Sequence, residues 1–143
     1  MHGLKVESLG HMAVFLLPSL KLKQRKKLGR SYEEVVHHFL MQHFAGYTAS
    51  AGNIYGYWRE PNGKDSYGEH REYKVSFRGR DRVTMLQKFL ATLGAELDEQ
   101  SIYMEYGENA WLIQSVDQAK QRGAAARNGR NGRNHSPESS SLQ

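Results

Sequence analysis

The segment Glu69-His70-Arg71-Glu72-Tyr73-Lys74-Val75-Ser76-Phe77-Arg78 decides the fold, because its second part alternates between apolar and polar side chains. Tyr73, Val75 and Phe77 are the apolar members, and one polar residue separates each from the next. A period of two is typical of a β-strand with one buried face and one face in water. We therefore predict a half-buried strand over residues 69–78.

A helix is predicted directly after this strand. Asp81 is placed to act as its N-cap, and an apolar stripe with helical spacing follows. The stripe consists of Val83, Leu86, Leu90, Leu93 and Leu97, with Phe89 beside it. Gly94 and the polar run Asp98-Glu99-Gln100 predict the end of the helix.

An earlier helix is predicted to begin after Ser31. Serine is a favoured N-cap, and Glu34 follows three residues later, which is the spacing of a capping box. One helical stripe then runs through Tyr32, Val35, Val36, Phe39, Leu40 and His43. Gly46 predicts the end of this helix.

Four more segments have the composition of strands: residues 11–17, the end of 47–60, 101–106 and 110–116. Pro18 cannot donate to a sheet ladder, so we expect it to end the first of them. Pro61-Asn62-Gly63 predicts a turn, and we expect the loop to continue through Gly68. A second turn is predicted at Gly107-Glu108-Asn109.

The predicted order is strand, helix, strand, strand, helix, strand, with one further strand at the end. Such an order is typical of an α+β, ferredoxin-like fold, in which two helices cover one face of an antiparallel βαββαβ sheet. We expect this domain to occupy residues 1–117. Residues 118–143 are rich in Gly, Ala, Arg, Asn and Ser, and we expect them to form a disordered basic tail.

The composition excludes several classes of site. The 143-residue chain has no cysteine, so it has no disulfide, no thiolate metal site and no cysteine nucleophile. Its apolar runs are far shorter than the ~20 residues that span a bilayer, and its N-terminus lacks the order of a signal peptide. His37, His38 and His43 lack the four-residue spacing of a helical metal pair, so we predict no metal. A cytoplasmic protein without a membrane partner is expected.

Positive charge is concentrated in two places. Of the net charge of +5, residues 21–30 contribute six positive charges and residues 117–143 contribute a net three. Removing both leaves −4 for the remainder, so the folded part is mildly acidic. Nucleic-acid-binding domains usually carry basic residues across a folded face. The distribution therefore argues against nucleic acid as the main partner and suits a cationic small ligand.

Aromatic residues are numerous in the predicted strands and adjoining loops. They are Tyr55, Tyr57, Trp58, Tyr67, Tyr103, Tyr106 and Trp111. A monomer rarely leaves so much aromatic surface in water, so we expect an oligomer with a ligand cleft between subunits. The alternative is that half of these rings belong to the core.

Two carboxylates are candidates for a binding role. Glu69 has the same parity as Tyr73, so it either reaches water at the strand end or meets a cation. Glu105 stands in mid-strand, two residues after Tyr103. The alternative for Glu105 is a cross-strand ion pair with Lys74 or Arg78.

The order of several motifs resembles the phage S-adenosylmethionine lyases, a family with a trimeric PII-like fold that was earlier classed as hydrolases. Gly56-Tyr57-Trp58-Arg59-Glu60 is similar to a family segment, and Glu69 follows Arg59 at the matching distance of ten residues. Collinear matches continue through the strand 73–77, Arg80-Asp81-Arg82, Glu96, Gln100 and Tyr106. Trp58 stands where the family has tyrosine, which makes Tyr57 the candidate for that phenol. At Glu105 the family has a different residue.

The resemblance implies an enzyme that needs no metal and no cofactor. The substrate's own carboxylate would attack its γ-carbon, giving 5′-methylthioadenosine and homoserine lactone. Glu69, Tyr57 and Trp58 would be the catalytic residues, and Glu105, Tyr103, Tyr106 and Arg59 would bind the substrate. A homotrimer with sites between subunits is implied. So is a phage counter-defence role in the host cytoplasm, where the enzyme would deprive methylation of its donor.

Two other functions fit parts of the sequence. Gly46-Tyr47-Thr48 with the later Trp58 segment is also similar to PII-like modules that bind small ligands or nucleotides without catalysis. The basic loop and tail suit an accessory factor that binds RNA or protein. Turnover of S-adenosylmethionine separates the lyase from both.

Overall fold

The computed structural model describes residues 3–24 and 29–116. The predicted tail, residues 118–143, and the middle of the basic loop, residues 25–28, lie outside the described residues. The described part forms an α+β fold with two helices and one six-stranded antiparallel sheet. The ferredoxin-like prediction is confirmed.

The elements in chain order are β1 His11–Pro18, a 3₁₀ turn Lys21–Lys23, α1 Tyr32–His43, β2 Thr48–Ala49, β3 Ile54–Arg59, β4 Asp65–Phe77, α2 Arg80–Glu96, β5 Ser101–Tyr106 and β6 Asn109–Gln114. The strand order is β2-β4-β1-β5-β6, and β3 pairs with the other end of β4. Beyond the predicted elements the described chain contains the two-residue strand β2 and the 3₁₀ turn.

Strand β4 is 13 residues long and pairs with three strands, the short β2 and the longer β1 and β3. Its residues 70–77 pair with β1, from His11 opposite Phe77 to Pro18 opposite His70. Its residues 65–70 pair with β3, from Ile54 opposite His70 to Arg59 opposite Asp65. The loop predicted through Gly68 is therefore wrong: the chain returns to strand at Asp65. The ladder to β3 and its tyrosine pairs outweigh the weak strand propensity of Asp65, Ser66 and Gly68.

The described residues divide into two compact units, 3–24 and 29–83 with 103–111, and 84–102 with 112–116. In the first unit, helix α1 lies on the sheet face that carries Tyr73 and Phe77. The rings of Phe15 and Tyr73 stack with centroids 5.2 Å apart, and Phe44 contacts Phe77 at 5.0 Å. The core also includes Ala13, Leu17, Val36, Leu40 and Val75, all at most 2% exposed.

In the second unit, the predicted stripe of α2 is buried at Leu86, Leu90, Leu93 and Leu97. The helix begins at Arg80, so Asp81 lies in its first turn. Gly94 does not end the helix as predicted, since α2 continues to Glu96. A Cβ on Gly94 would lie 2.3 Å from the Ser115 hydroxyl, so this glycine allows a close approach instead.

The predicted capping box of α1 is confirmed in both directions. The Ser31 hydroxyl accepts from the Glu34 amide at 3.1 Å, and the Ser31 amide donates to Glu34 Oε1 at 2.8 Å. The helix ends at His43, three residues before the predicted Gly46, and the Phe44 amide donates to the carbonyl of Leu40. Phe44 has an extended backbone and lies just outside the helix, and its ring is buried.

Replacing Ser31 with alanine should lower the free energy of unfolding by about 1 kcal/mol, because the Glu34 amide loses its acceptor. Chemical denaturation of the full chain measures this. Ser31→Asp keeps an acceptor at the N-cap and should stay within a few tenths of a kcal/mol of the parent. Equal loss in both variants would show that the acceptor at the N-cap is not what stabilises the helix.

Candidate functional site

The hairpin formed by β3 and β4 carries most of the predicted site residues. Its turn is closed by the Glu60 amide, which donates to the Lys64 carbonyl at 2.7 Å, and Gly63 adopts a φ of +88°. The turn predicted at residues 61–63 is therefore confirmed. Arg59 and Asp65 form an ion pair of 3.0 Å at the start of the turn, and both side chains are more than 70% exposed. An exposed pair contributes little to stability, so the Arg59 guanidinium remains available to an anionic ligand.

Three tyrosines form an exposed aromatic surface on one face of this hairpin, and we call it the tyrosine cluster. Tyr67 stacks on Tyr55 with centroids 5.8 Å apart and a plane angle of 16°. Tyr57 stands directly opposite Tyr67 in the ladder, with ring centroids 5.1 Å apart. The three residues are 59%, 72% and 51% exposed for Tyr55, Tyr57 and Tyr67 respectively. Such an open set of ring faces is suited to a cation.

The carboxylate of Glu69 lies at the edge of the tyrosine cluster, opposite Tyr55 in the ladder. Each of its oxygens accepts one side-chain hydrogen bond. Asn53 Nδ2 donates to Oε1 at 3.0 Å, and the Tyr67 hydroxyl donates to Oε2 at 3.3 Å. Desolvation, the charge of Glu69 and this hydrogen bond all raise the pKa of Tyr67. The phenol therefore stays a donor throughout the neutral range.

The opposite face of the same hairpin carries Trp58 and His70. Gly56 and Gly68 stand opposite each other in the ladder, and a Cβ on either would collide with these rings, at 2.0 Å from Trp58 and 2.5 Å from His70. The two rings meet edge to face with centroids 5.2 Å apart. The glycine pair thus gives the indole and imidazole room to lie over the backbone. Trp58 and Tyr57 consequently point to opposite sides of the hairpin.

Glu105 also lies on the sheet face opposite Glu69. It pairs with Val14, which pairs with Lys74, and directly opposed residues share a face. The Tyr103 hydroxyl donates to Glu105 Oε2 at 2.7 Å, and this bond raises the pKa of Tyr103. The alternative, an ion pair of Glu105 with Lys74 or Arg78, does not form. Lys74 Nζ lies 3.8 Å from Glu72 Oε1, and the Arg78 guanidinium donates to the carbonyl of Ser8.

Tyr106 lies away from Glu105, in an aromatic stack on the other face. Its ring lies 5.5 Å from Phe77, 6.4 Å from Trp111 and 5.7 Å from His11, measured between centroids. Tyr106 remains half-buried in this stack. Its placement follows from the register, because Tyr106 stands opposite Ala13 and Ala13 opposite Val75.

Within one chain, the predicted residues therefore lie in three separate places, one of which is the aromatic stack of Tyr106. Tyr57, Arg59 and Glu69 lie together on one face of the hairpin, whereas Glu105 and Tyr103 lie on the opposite face of the sheet. Trp58 shares the face of Glu105. The sequence interpretation missed Asn53, for which no local signal existed. It placed Tyr67 in a loop, although Tyr67 stands two residues before Glu69 and would share its face in a continuous strand.

Glu69 is followed on its own face by Arg71, whose guanidinium forms an ion pair with Glu33 at the start of α1. Burial raises the pKa of Tyr73, the next residue on this face, although Arg71 opposes the shift. From the tyrosine cluster towards the core, this face therefore carries the acidic Glu69, the basic Arg71 and then the buried Tyr73. Because Arg71 is neutralised by Glu33, it leaves the negative charge of Glu69 available to a ligand.

Two wider properties bear on the site. Across residues 3–24 and 29–116, no three His, Asp or Glu side chains are close enough together to hold a metal ion. Within the same residues, no helix has the length and apolar character needed to cross a membrane.

Comparison with known proteins gives one informative similarity. No protein-family model and no curated protein sequence matches the chain. A solved structure does match: a phage SAM lyase in complex with S-methyl-5′-thioadenosine, with a TM-score of 0.51 and 13% identity over 80% of this chain and 97% of that one. The chain has the fold of a phage SAM lyase. The predicted resemblance is confirmed at the level of the fold.

Replacing Glu69 with glutamine should lower the pKa of Tyr67, because the variant removes the negative charge that disfavours the phenolate. A titration followed by tyrosine ¹³Cζ resonances measures this, with Tyr67→Phe assigning the signal. Glu60→Gln removes a carboxylate at the turn and serves as the control, with no shift expected. An unchanged Tyr67 titration in Glu69→Gln would contradict the hydrogen bond between them.

Proposed function

We propose that this protein is an S-adenosylmethionine lyase. The observation that carries the proposal is the pairing of an ionisable carboxylate, Glu69, with an open tyrosine cluster on the fold of a phage SAM lyase. S-adenosylmethionine combines a sulfonium, an ammonium and a carboxylate within a few bonds. A carboxylate beside exposed ring faces matches the two cations of that substrate.

The proposed reaction needs no external nucleophile. One oxygen of the substrate carboxylate forms a bond to its own γ-carbon, and the bond between that carbon and sulfur breaks. The electron pair of the broken bond stays on sulfur, which becomes the neutral thioether of 5′-methylthioadenosine. The other product is homoserine lactone. The protein's task is to fold the substrate into the attack conformation and to exclude competing ones.

The hairpin residues divide this task among them. Glu69 binds the substrate ammonium, and the ring faces of Tyr57 and its neighbours contact the sulfonium, an interaction of roughly 0.5–2 kcal/mol. Positive charge on sulfur decreases on the way to the transition state and is gone in the thioether product, so this contact orients the group rather than driving its departure. Arg59, exposed beside Tyr57, is suited to the carboxylate end of the substrate.

The remaining residues support a site shared between subunits. Glu105 and Tyr103 lie on the sheet face opposite Glu69, so one chain does not bring the two carboxylates to one ligand. A homotrimer in which the Glu105 face of one subunit meets the hairpin of the next would complete the site. In this arrangement Glu105 accepts from the ribose hydroxyls, Trp58 lies at the interface, and Tyr106 supports the cleft from its stack.

Residues 1–117 would form the catalytic domain, and residues 118–143 would be dispensable for turnover. In the biological setting, destruction of the methyl donor in the host cytoplasm would protect an infecting phage from methylation-dependent defence.

The purified full chain, with a chelator present, should convert S-adenosylmethionine to 5′-methylthioadenosine and homoserine lactone, because no step uses a metal. Liquid chromatography and NMR identify both products. Glu69→Gln should abolish turnover with an unchanged circular dichroism spectrum, and Glu60→Gln should retain it. Intact S-adenosylmethionine bound without turnover would favour the ligand-binding PII-like alternative, and full activity in Glu69→Gln would remove this residue from the site.

Mixing two inactive variants tests the shared site. Glu69→Gln and Glu105→Gln, unfolded together and refolded as mixed oligomers, should regain part of the parental activity, because some interfaces then combine two intact halves. Each variant refolded alone provides the control. A mixture as inactive as its components would place both carboxylates in the same subunit's site and overturn the proposed assembly.

A further inference from the structure

The two donors to Glu69 come from different parts of the hairpin. Asn53 precedes β3, whereas Tyr67 belongs to β4 and stands two residues before Glu69 on the same face. A carboxylate offers about four acceptor positions, so two donors leave room for a cationic ligand. The two hydrogen bonds orient both oxygens of Glu69 and leave further acceptor positions on the carboxylate for a ligand.

Asn53 is held in place by a bulge between β2 and β3. From Ala49 to Ile54 the chain advances five residues, while the partner strand moves back only three, from Tyr73 to His70. Two extra residues are therefore accommodated in the segment 50–53. Such bulges commonly redirect a side chain next to a functional site.

Ser50 anchors this bulge to β4 at both of its polar groups. Its amide donates to the Glu72 carbonyl at 2.9 Å, and its hydroxyl accepts from the Glu72 amide at 3.0 Å. The same hydroxyl donates to the Gly52 carbonyl at 3.0 Å. Gly52, directly before Asn53, is thereby linked to β4 through Ser50. The backbone that carries Asn53 is held in place, and its side-chain amide donates to Glu69 from there.

We propose that Asn53 and Tyr67 are positioning residues, which hold the Glu69 carboxylate in one orientation beside the tyrosine cluster to receive the substrate's ammonium group. This inference rests on the proposed lyase function. The Asn53 amide and the Tyr67 hydroxyl do not touch the reacting atoms, and both groups act through Glu69.

The physical reason is the freedom that a half-buried glutamate at the surface retains. Such a side chain samples several rotamers, and binding a ligand with only one of them costs conformational entropy. Hydrogen bonds from the Asn53 amide and the Tyr67 hydroxyl select that rotamer before the substrate arrives. The raised pKa of Tyr67 is consistent with this, because it keeps the donor proton in place at neutral pH.

The test compares Asn53→Leu and Tyr67→Phe with the parent. Asn53→Leu keeps about the size of the side chain and removes the donor without adding a charge beside Glu69, and Tyr67→Phe keeps the ring and removes the hydroxyl. Each should raise the KM for S-adenosylmethionine by about three- to tenfold, the equivalent of one lost hydrogen bond, with kcat changed less. Tyr47→Phe, which removes a hydroxyl bonded to His37 at 2.7 Å, is the matched control and should retain the parental KM.

Affinity for 5′-methylthioadenosine separates positioning from a general structural role. This product lacks the ammonium group, so its dissociation constant should stay within about twofold of the parent in both variants. A matching loss of affinity for substrate and product, or a parental KM in both variants, would overturn the inference while leaving the lyase function intact. A parent chain that neither binds nor degrades S-adenosylmethionine would remove the proposed function and this inference together.

Discussion

The register of β4 is the constraint on which the rest of the structure depends. One end of this strand pairs with β1 and the other with β3, and the two ladders meet at His70. Because side chains alternate along a strand, this register places Glu69, Arg71 and Tyr73 on one face. Every feature of the hairpin follows from it, including the separation of Tyr57 from Trp58.

Along that face the surroundings change from core to water within a few residues. Tyr73 is 2% exposed and stacked on Phe15, whereas Tyr67 is 51% exposed. Glu69 lies between them and is half-buried. A carboxylate at such a boundary is less well hydrated than one on a loop, so its interaction with a cation is stronger, and it still avoids the cost of full burial.

Much of this fold could be predicted from local patterns. The period-two strand, the capping box of Ser31 and the stripe of α2 each depend on residues near one another in sequence, and all three are confirmed. The failures come from contacts distant in sequence. Pairing with β3 turns the loop predicted through Gly68 into strand from Asp65 onward, and the glycine predicted to end α2 instead makes room for Ser115. For Glu105, a hydrogen bond from Tyr103 forms in place of the ion pair that was the alternative to a binding role.

The candidate site shows the same limit. Glu69 and Tyr57 could be named from motif order, and the ladder places them on one face, whereas Asn53 is brought to Glu69 only by the bulge. No pattern of apolar and polar residues encodes that approach. The resemblance to a lyase family, in turn, is confirmed as a resemblance of folds.

The bulge at residues 50–53 has a consequence for how this segment can change in length. Because it adds two residues, the odd-numbered positions before and after it keep the same face, so Ala49 and Tyr55 remain on the side of Tyr73 and Glu69. The hairpin turn fixes the pairing of β3 with β4, so a change of one residue in this segment would leave Tyr55 opposite Glu69 and would alter how Asn53 reaches that carboxylate. The length of the segment therefore governs the hydrogen bonding of Glu69 and leaves the tyrosine cluster in place.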